Sequence, residues 1–265
     1  MSSFESRFER LELKYLVDES VAEQIRGDIA PFCHPDAHNP TRTPGAPNRG
    51  YEVDSLYLDT PNLAFYRAKE RGDAERLKLR IRGYANTPYA ILECKRRIAD
   101  VIDKTRVTVD RKDAELAAHG FVDPGPDHPE ARSFLSDFAA TLARSGAGPA
   151  LLLRYQREAY VSEVDHYARV TFDRAIEAIR SDVWSLDAPR GCWSRFNEHW
   201  MREEAHRRVV LELKCHSSIP WWMTDLIRKH ALKRQSFSKY SIGTHLTGIE
   251  LGEDRITRRS ARWMQ

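Results

Sequence analysis

Charge alternates with a period of two along one stretch after another of this chain, and that alternation limits the folds open to it. In Arg76-Leu-Lys-Leu-Arg-Ile-Arg82 the residues Arg76, Lys78, Arg80 and Arg82 point one way, while Leu77, Leu79 and Ile81 point the other. Such a pattern suits a strand with one apolar face and cannot make a helical stripe. It recurs with Glu93, Lys95 and Arg97 opposite Leu92 and Cys94, and with Arg208, Glu212 and Lys214 opposite Val209, Leu211 and Leu213. Arg169, Thr171 and Asp173 oppose Val170 and Phe172, and Glu12 and Lys14 oppose Leu11, Leu13 and Tyr15.

Strands are therefore predicted over Phe8–Leu16, Val53–Leu58, Arg76–Tyr84, Ala90–Arg97, Thr105–Val109, Leu151–Val161, Ala168–Phe172 and Arg208–Cys215. Helical segments lie between them. Ser20-x-x-Glu23 reads as a capping box opening a helix through Ile29, and Pro61–Arg71 and Ala114–His119 as short helices. A longer helix is expected from Pro129 to Arg144, and another from Pro220, each proline suiting a first helical position. Many strands without regular βαβ alternation predict an α+β protein around a mainly antiparallel sheet. The proline-rich stretch from Pro35 to Gly50 and the segment Val122–His128 read as loops within one domain covering residues 1–250, followed by a polar, basic tail over 251–265.

The charge balance excludes some functions. Over 265 residues, 42 Lys and Arg against 39 Asp and Glu leave a net charge of only +3. That is too little for a nucleic-acid coat or a membrane-surface protein, so a basic site has to come from local segregation of charge. The cysteines Cys33, Cys94, Cys192 and Cys215 form no CxxC pair, which argues against zinc and a redox dithiol. Cys94 and Cys215 fall on apolar strand parities and are expected to be structural thiols. The N-terminal MSSFESRFER has no apolar core and no run approaches the ~20 apolar residues of a membrane span, so a cytoplasmic protein is expected.

One charged strand face is ordinary surface. Here the charged faces are dominated by Arg and Lys, and a Glu stands two residues before a Lys in Glu12/Lys14, Glu93/Lys95 and Glu212/Lys214. Closing the sheet into a barrel would turn these faces inward and leave the apolar faces to be covered by helices. A tube of like charges is unfavourable when empty and becomes favourable when an extended polyanion fills it. Arginine forks suit bidentate phosphate binding, lysine follows a moving phosphate, and interleaved glutamates suit a hard divalent cation. The pattern fits phosphoryl transfer by positioning and electrostatics.

A set of short motifs carries a resemblance. Glu12-Leu-Lys-Tyr15, Ser55-Leu-Tyr-Leu-Asp-Thr60, Lys78-Leu-Arg-Ile-Arg82, Leu92-Glu-Cys-Lys95, Tyr155-Gln-Arg157, Arg169-Val-Thr-Phe-Asp173, Leu211-Glu-Leu-Lys214 and Phe237-Ser-Lys-Tyr240 stand in this order. The order resembles that of VTC-type polyphosphate polymerase domains, within the triphosphate tunnel metalloenzymes, over about residues 5–250. The resemblance implies a closed antiparallel β-barrel forming a triphosphate tunnel, with helices packed outside. It also implies transfer of the ATP γ-phosphoryl group to a growing polyphosphate chain with Mn²⁺ or Mg²⁺. Carried over by position, Lys239, Arg80, Arg82 and Lys95 would be catalytic. Lys14, Lys78, Arg97, Lys104, Tyr155, Arg157, Arg169, Lys214 and Ser238 would bind substrate, with Glu212, Glu12 and Glu93 as metal ligands. The partners implied are ATP and polyphosphate or another linear polyanion. Nucleic acid is not expected, a membrane partner is left open, and oligomeric state is not indicated.

Two departures bear on the activity. Ser236 stands where such domains often carry a Lys, with Lys233 and Arg234 nearby. Hydrolases of the same superfamily begin with Glu-x-Glu-x-Lys, whereas this chain has Arg10-Leu-Glu-Leu-Lys14. Losing that first carboxylate weakens a second metal site and favours a polymerase or a binding module over a triphosphatase. The alternatives kept are a triphosphatase or tripolyphosphatase and a non-catalytic polyphosphate-binding module. The ten histidines show no metal-ligand spacing. Trp193, Trp200, Trp221 and Trp222 are expected in core and helix packing, and Ser55 and Asp59, sharing a strand parity without a His, support no nucleophilic triad.

Overall fold

The computed structural model describes residues 10–39, 50–99, 101–165, 167–187, 191, 193–196, 208–216 and 218–251. The chain opens with β1 (Arg10–Asp18), α1 (Glu19–Ile29), β2 (Cys33–Pro35), β3 (Tyr51–Asp59) and α2 (Ala64–Arg71). There follow β4 (Glu75–Tyr84), β5 (Tyr89–Ile98), β6 (Val101–Asp110), α3 (Ala114–Ala118) and α4 (Pro129–Ser145). The last described elements are β7 (Gly148–Ser162), β8 (Arg169–Arg180), β9 (Ser194–Arg195), β10 (Arg208–His216), α5 (Trp221–Lys229) and α6 (Lys239–Thr247).

The strands form one ten-stranded sheet in the order β1-β10-β8-β7-β3-β4-β5-β6, with β2 on β7 and β9 on β8. Its fold is mixed α+β, with antiparallel ladders. No ladder joins β1 to β6 among the described residues, so hydrogen bonds do not close the expected barrel. Strand β6 has the features of an edge, being exposed along Val101–Arg106 and carrying Asp103, Lys104 and Arg106, charges that discourage pairing with another strand.

The chain divides into two compact units. Unit 1 comprises residues 1–52, 155–176 and 197–237, and unit 2 comprises 53–154, 177–196 and 238–265. In unit 1 the apolar faces of β1, β10 and β8 (Leu13, Tyr15, Val17, Val170, Phe172, Val209, Leu211, Leu213, Cys215) are covered by α1 and α5 through Ala22, Ile25, Ile29, Trp222, Met223 and Leu226. In unit 2 the apolar faces of β3, β4 and β5 (Leu56, Leu58, Leu79, Ile81, Leu92) are covered by α3 and α4 through Ala117, Leu135, Phe138 and Leu142. Each buried Leu, Ile or Phe contributes roughly 1.5–3 kcal/mol. The helices therefore lie on the faces opposite the charges, as the alternation requires.

Local differences from the expected elements have identifiable causes. Helix α1 starts directly after Asp18 rather than behind a Ser20 cap. Helix α2 starts at Ala64 rather than Pro61, because Leu63 takes a left-handed conformation (φ 56°) and Thr60 Oγ1 accepts the Ala64 N–H at 2.8 Å. Strand β8 runs past Phe172 to Arg180 through Ala175, whose positive φ of 47° gives the local kink of a bulge. Helix α6 was not expected at all. Its sequence, KYSIGTHLT, has β-branched residues and a Gly that lower helix propensity. Its core contacts come from around most of the helix: Tyr240, Ser241, Gly243, Thr244 and Leu246 are all buried. A Cβ on Gly243 would stand 2.6 Å from Leu151 Cδ2, so the glycine allows α6 to lie close against β7.

Trp222 is buried with its indole N–H donating to Asp165 at 2.6 Å, whereas Trp221 is exposed and meets Phe32 edge-on. Trp193 receives the Arg154 guanidinium on its ring, and Trp200 and Cys192 lie outside the described residues. Cys33, Cys94 and Cys215 are free thiols, with burial pushing Cys33 up to about 12 and Cys94 up to about 11, which suits inert packing residues. Among the described residues no helix is long and apolar enough to cross a membrane.

Candidate functional site

The register of β3 to β6 assembles the charged face of unit 2 row by row. Lys78 lies opposite Lys95, and Lys95 opposite Lys104. The next row is Tyr57, Arg80, Glu93 and Arg106, and the one beyond it Ser55, Arg82, Ile91 and Thr108. On the other side Arg76 lies opposite Arg97. Like charges directly opposite across strands destabilise a sheet, so three lysines in one row mark a face shaped by something other than stability.

Glu93 is the carboxylate that the register places among these cations. It is 2% exposed and pairs with Arg80, with Arg82 at 3.6 Å and with Lys104 at 3.6 Å. Burial alone would raise its pKa, but Arg80, Arg82 and Lys104 outweigh burial and hold it well below the usual carboxylate range. Its lowered value means that the carboxylate stabilises the fold fully above the unfolded value of about 4.3, and loses that contribution only as pH falls through the lower folded value. The thermal-stability gap between wild type and Glu93→Gln is therefore expected to stay constant from pH 7 to 5 and to shrink below about 4. A gap that shrinks already between pH 7 and 5 would contradict this.

The first turn of α6 completes the unit 2 site. Ser238 caps the helix by accepting the Ser241 N–H, and Lys78 Nζ donates to the same Oγ at 3.3 Å. Lys239 is the first helical residue. A helix N-terminus carries unsatisfied N–H groups and a partial positive charge, which adds to the neighbouring lysines. Four buried atoms on this face, Ser55 Oγ, Arg76 Nε, Arg82 Nε and Glu93 Oε1, make no hydrogen bond among the described residues.

Unit 1 has a different balance. Its rows are Glu12–Lys214–Arg169 and Lys14–Glu212–Thr171. Lys14 pairs with Glu12 at 2.9 Å and Lys214 with Glu212 at 2.8 Å, so each of these lysines has a carboxylate on its own strand. Lys14 Nζ also donates to the Phe237 carbonyl at 3.3 Å. Arg157 sits over the Tyr155 ring and meets both oxygens of the buried Asp173 at 2.7 and 2.8 Å. Burial opposes its charge, yet Asp173, Tyr155 and Glu212 raise the guanidinium well above its ordinary range. Burial leaves Tyr155 little surface to offer a ligand.

Among the described residues no three His, Cys, Asp or Glu side chains cluster as a ready-made metal cage. Glu12 and Glu212 are diagonal neighbours on one face, a separation of roughly 7–8 Å that two long side chains can bridge. This pair fits Mg²⁺ or Mn²⁺, which take one or two carboxylates and complete their shell with phosphate oxygens and water. Glu93 belongs to the other unit and its oxygens face arginines and a lysine. A cavity of about 600 Å³ in unit 2, lined by Leu56, Ile81, Arg111, Trp184 and Leu186, opens on the apolar side of β3 and β4, away from these cations.

Arginine and lysine alternation made the cationic rows legible in the sequence, but Ser55 enters it as an unsupported nucleophile, and Tyr57, Arg106 and Thr108 are not among the candidate site residues. Ser55 and Tyr57 share a parity with Asp59 on β3, and that parity was the available signal.

The family model for the VTC domain matches residues 9–247. Among solved structures, the chain is similar to a proposed adenylate cyclase from Bacillus halodurans (12% identity, 87% of this chain and 94% of that one, TM-score 0.46). It is likewise similar to a proposed adenylate cyclase from Vibrio parahaemolyticus (12%, 90% and 98%, TM-score 0.44). A proposed adenylyl cyclase from Hippeastrum, described as having a dominant triphosphatase activity, is similar at 13% identity (90% and 96%, TM-score 0.45). Among curated proteins there is no sequence match.

Proposed function

The chain belongs to the VTC domain family, and from that premise we propose that it is a phosphotransferase that lengthens polyphosphate with the γ-phosphoryl group of ATP. The observation that carries the proposal is the Lys78–Lys95–Lys104 row beside Arg80, Arg82 and the capped start of α6. An array of this kind gains most from a ligand with closely spaced negative charges, which a polyphosphate chain supplies at every phosphorus.

In the proposed reaction a terminal oxygen of the acceptor chain attacks the γ-phosphorus. The bond from that phosphorus to the bridging oxygen breaks, and its electron pair leaves with ADP. The protein supplies no covalent partner. Arg80 and Arg82 hold the transferring phosphoryl oxygens, with Glu93 fixing their guanidinium planes, and Lys239 with the α6 N–H groups neutralises charge at the reacting phosphates. Lys78, Lys95, Lys104 and Arg97 bind the chain on either side. The same proposal assigns Lys14, Arg169, Lys214 and Arg157 of unit 1 to phosphate binding, with Tyr155 backing the Arg157 guanidinium, and Glu212 with Glu12 to a divalent cation. That cation, when bound, neutralises phosphate oxygens during transfer. Enclosure of the phosphates by the sheet as a tunnel is part of this reading.

A triphosphatase is the second reading. Arg10 occupies the parity of Glu12 and Lys14 at the start of β1, where a further carboxylate would help activate water, and so favours transfer to phosphate over hydrolysis. The test is incubation of the full chain with ATP and Mn²⁺ or Mg²⁺, with products resolved on a gel stained for polyphosphate and Glu212→Ala alongside. Chain growth by the wild type and none by Glu212→Ala is expected. Orthophosphate from tripolyphosphate without chain growth selects the hydrolase, and tripolyphosphate binding without either product selects a binding module.

A further inference from the structure

A buried carboxylate behind the unit 2 site has a role that its position on β3 does not announce. Asp59 is 3% exposed and accepts hydrogen bonds from the backbone N–H groups of Thr60 (2.7 Å), Phe65 (2.9 Å) and Tyr66 (2.9 Å), from the Thr60 hydroxyl (3.4 Å) and from the Tyr240 hydroxyl (2.6 Å). Phe65 and Tyr66 lie in the first turn of α2, and Thr60 in the segment that leads into it. The Tyr240 hydroxyl belongs to the second residue of α6, directly after Lys239. The Tyr240 ring in turn stacks on Tyr57, with centroids 4.7 Å apart and planes 15° apart, and the Tyr57 hydroxyl accepts from Arg80 Nη1 at 3.3 Å. One carboxylate thus ties together the end of β3, the start of α2, the start of α6 and a guanidinium on β4.

We propose that Asp59 is a positioning residue that acts through Tyr240, locking the first turn of α6 so that Ser238 and Lys239 face phosphate, and that Tyr57 joins Arg80 to the same assembly. The inference rests on the phosphate-binding role of Lys239. Helix α6 has weak intrinsic propensity and begins beside a row of lysines, so its first turn needs an anchor of its own. A hydrogen bond to a carboxylate in a dry setting is stronger than one between neutral groups, and here it fixes the Tyr240 side chain, whose ring is also held by stacking on Tyr57. Burial, with the nearby Asp59 carboxylate, pushes the Tyr240 phenol well above its ordinary range, which keeps the donor protonated throughout the pH range of an assay.

The experiment uses the full chain and compares wild type, Lys239→Ala, Tyr240→Phe and the double variant. Affinity for tripolyphosphate is measured by titration calorimetry and ATP turnover at saturating ATP. Tyr240→Phe retains the ring on Tyr57 and removes only the hydroxyl. It is expected to weaken tripolyphosphate binding about fivefold, and to add less than about twofold when combined with Lys239→Ala. A purely structural role would make the two losses multiply, and multiplying losses would overturn the proposal. Wild-type affinity in Tyr240→Phe, with Lys239→Ala impaired, would overturn the positioning role alone. Wild-type affinity and turnover in Lys239→Ala would remove the role of Lys239 itself, and the inference with it.

Discussion

Lys239→Ala is expected to abolish detectable chain growth, with ATP turnover falling at least about a hundredfold and the thermal midpoint changing little. Removing one preorganised donor from a site of developing charge costs about 10²–10³ in rate, or ~2.7–4 kcal/mol. Lys239 opens α6 beside Ser238, whose Oγ already receives Lys78, so its ammonium, the helix N-terminus and a second lysine act on the same region. The side chain is only partly buried and outside the apolar cluster of unit 2, so truncating it leaves that packing intact. The measurements are steady-state turnover with ATP and a thermal melt on the same preparation. A loss below about threefold, with the fold intact, would move the chemistry away from α6. Lys239→Arg is expected to recover binding better than rate, because a planar fork replaces a compact charge at the place where the phosphoryl group moves.

Arg157→Ala is expected to have the largest effect on stability. Asp173 is fully buried (0% exposed) and receives Nε and Nη2 of Arg157 on its two oxygens. Truncating one member of a buried, bidentate ion pair leaves a carboxylate in a dry site without its principal counter-ion, at a cost of roughly 3–5 kcal/mol. For a chain of this size the thermal midpoint should drop by on the order of 10 °C, as read by calorimetry or circular dichroism. Arg157→Ala combined with Asp173→Ala should recover part of the loss, since the orphaned charge is gone. A midpoint within about 2 °C of wild type would show that Arg157 is held for ligand and not for the fold. This pair also changes how the residue is understood. In the sequence Arg157 reads as a phosphate ligand; in the folded chain its fork is already engaged by a carboxylate, and its remaining nitrogen is what it can offer to phosphate.

The same contrast holds for Glu93. The Glu-x-Lys spacing makes Glu12, Glu93 and Glu212 look equivalent. The ladders separate them. Glu12 and Glu212 fall on neighbouring strands of unit 1, while Glu93 falls between Arg80 and Arg106 in unit 2 and is met by Arg80, Arg82 and Lys104. The Glu93 carboxylate is thus engaged by cations of its own sheet face. Spacing along one strand carries no information about which residue of the next strand stands opposite, because register is set by how two faces pack.

The sequence by itself determined the strand faces and their sign. Alternation is a local property: once a segment is extended, adjacent side chains must point to opposite faces, and burial of one face decides which. That is why the cationic rows from Arg76 to Arg82 and from Glu93 to Arg97, and the helices that cover the opposite faces, were readable from residue order. Only the tertiary structure decided which charges are neighbours, that Asp59 holds Tyr240 across 181 residues of chain, and that Lys239-Tyr-Ser-Ile forms a helix at all. Those outcomes depend on contacts distant in sequence. A segment of weak propensity becomes helical when Tyr240, Ser241, Gly243 and Leu246 are buried and its first turn is tied to a carboxylate.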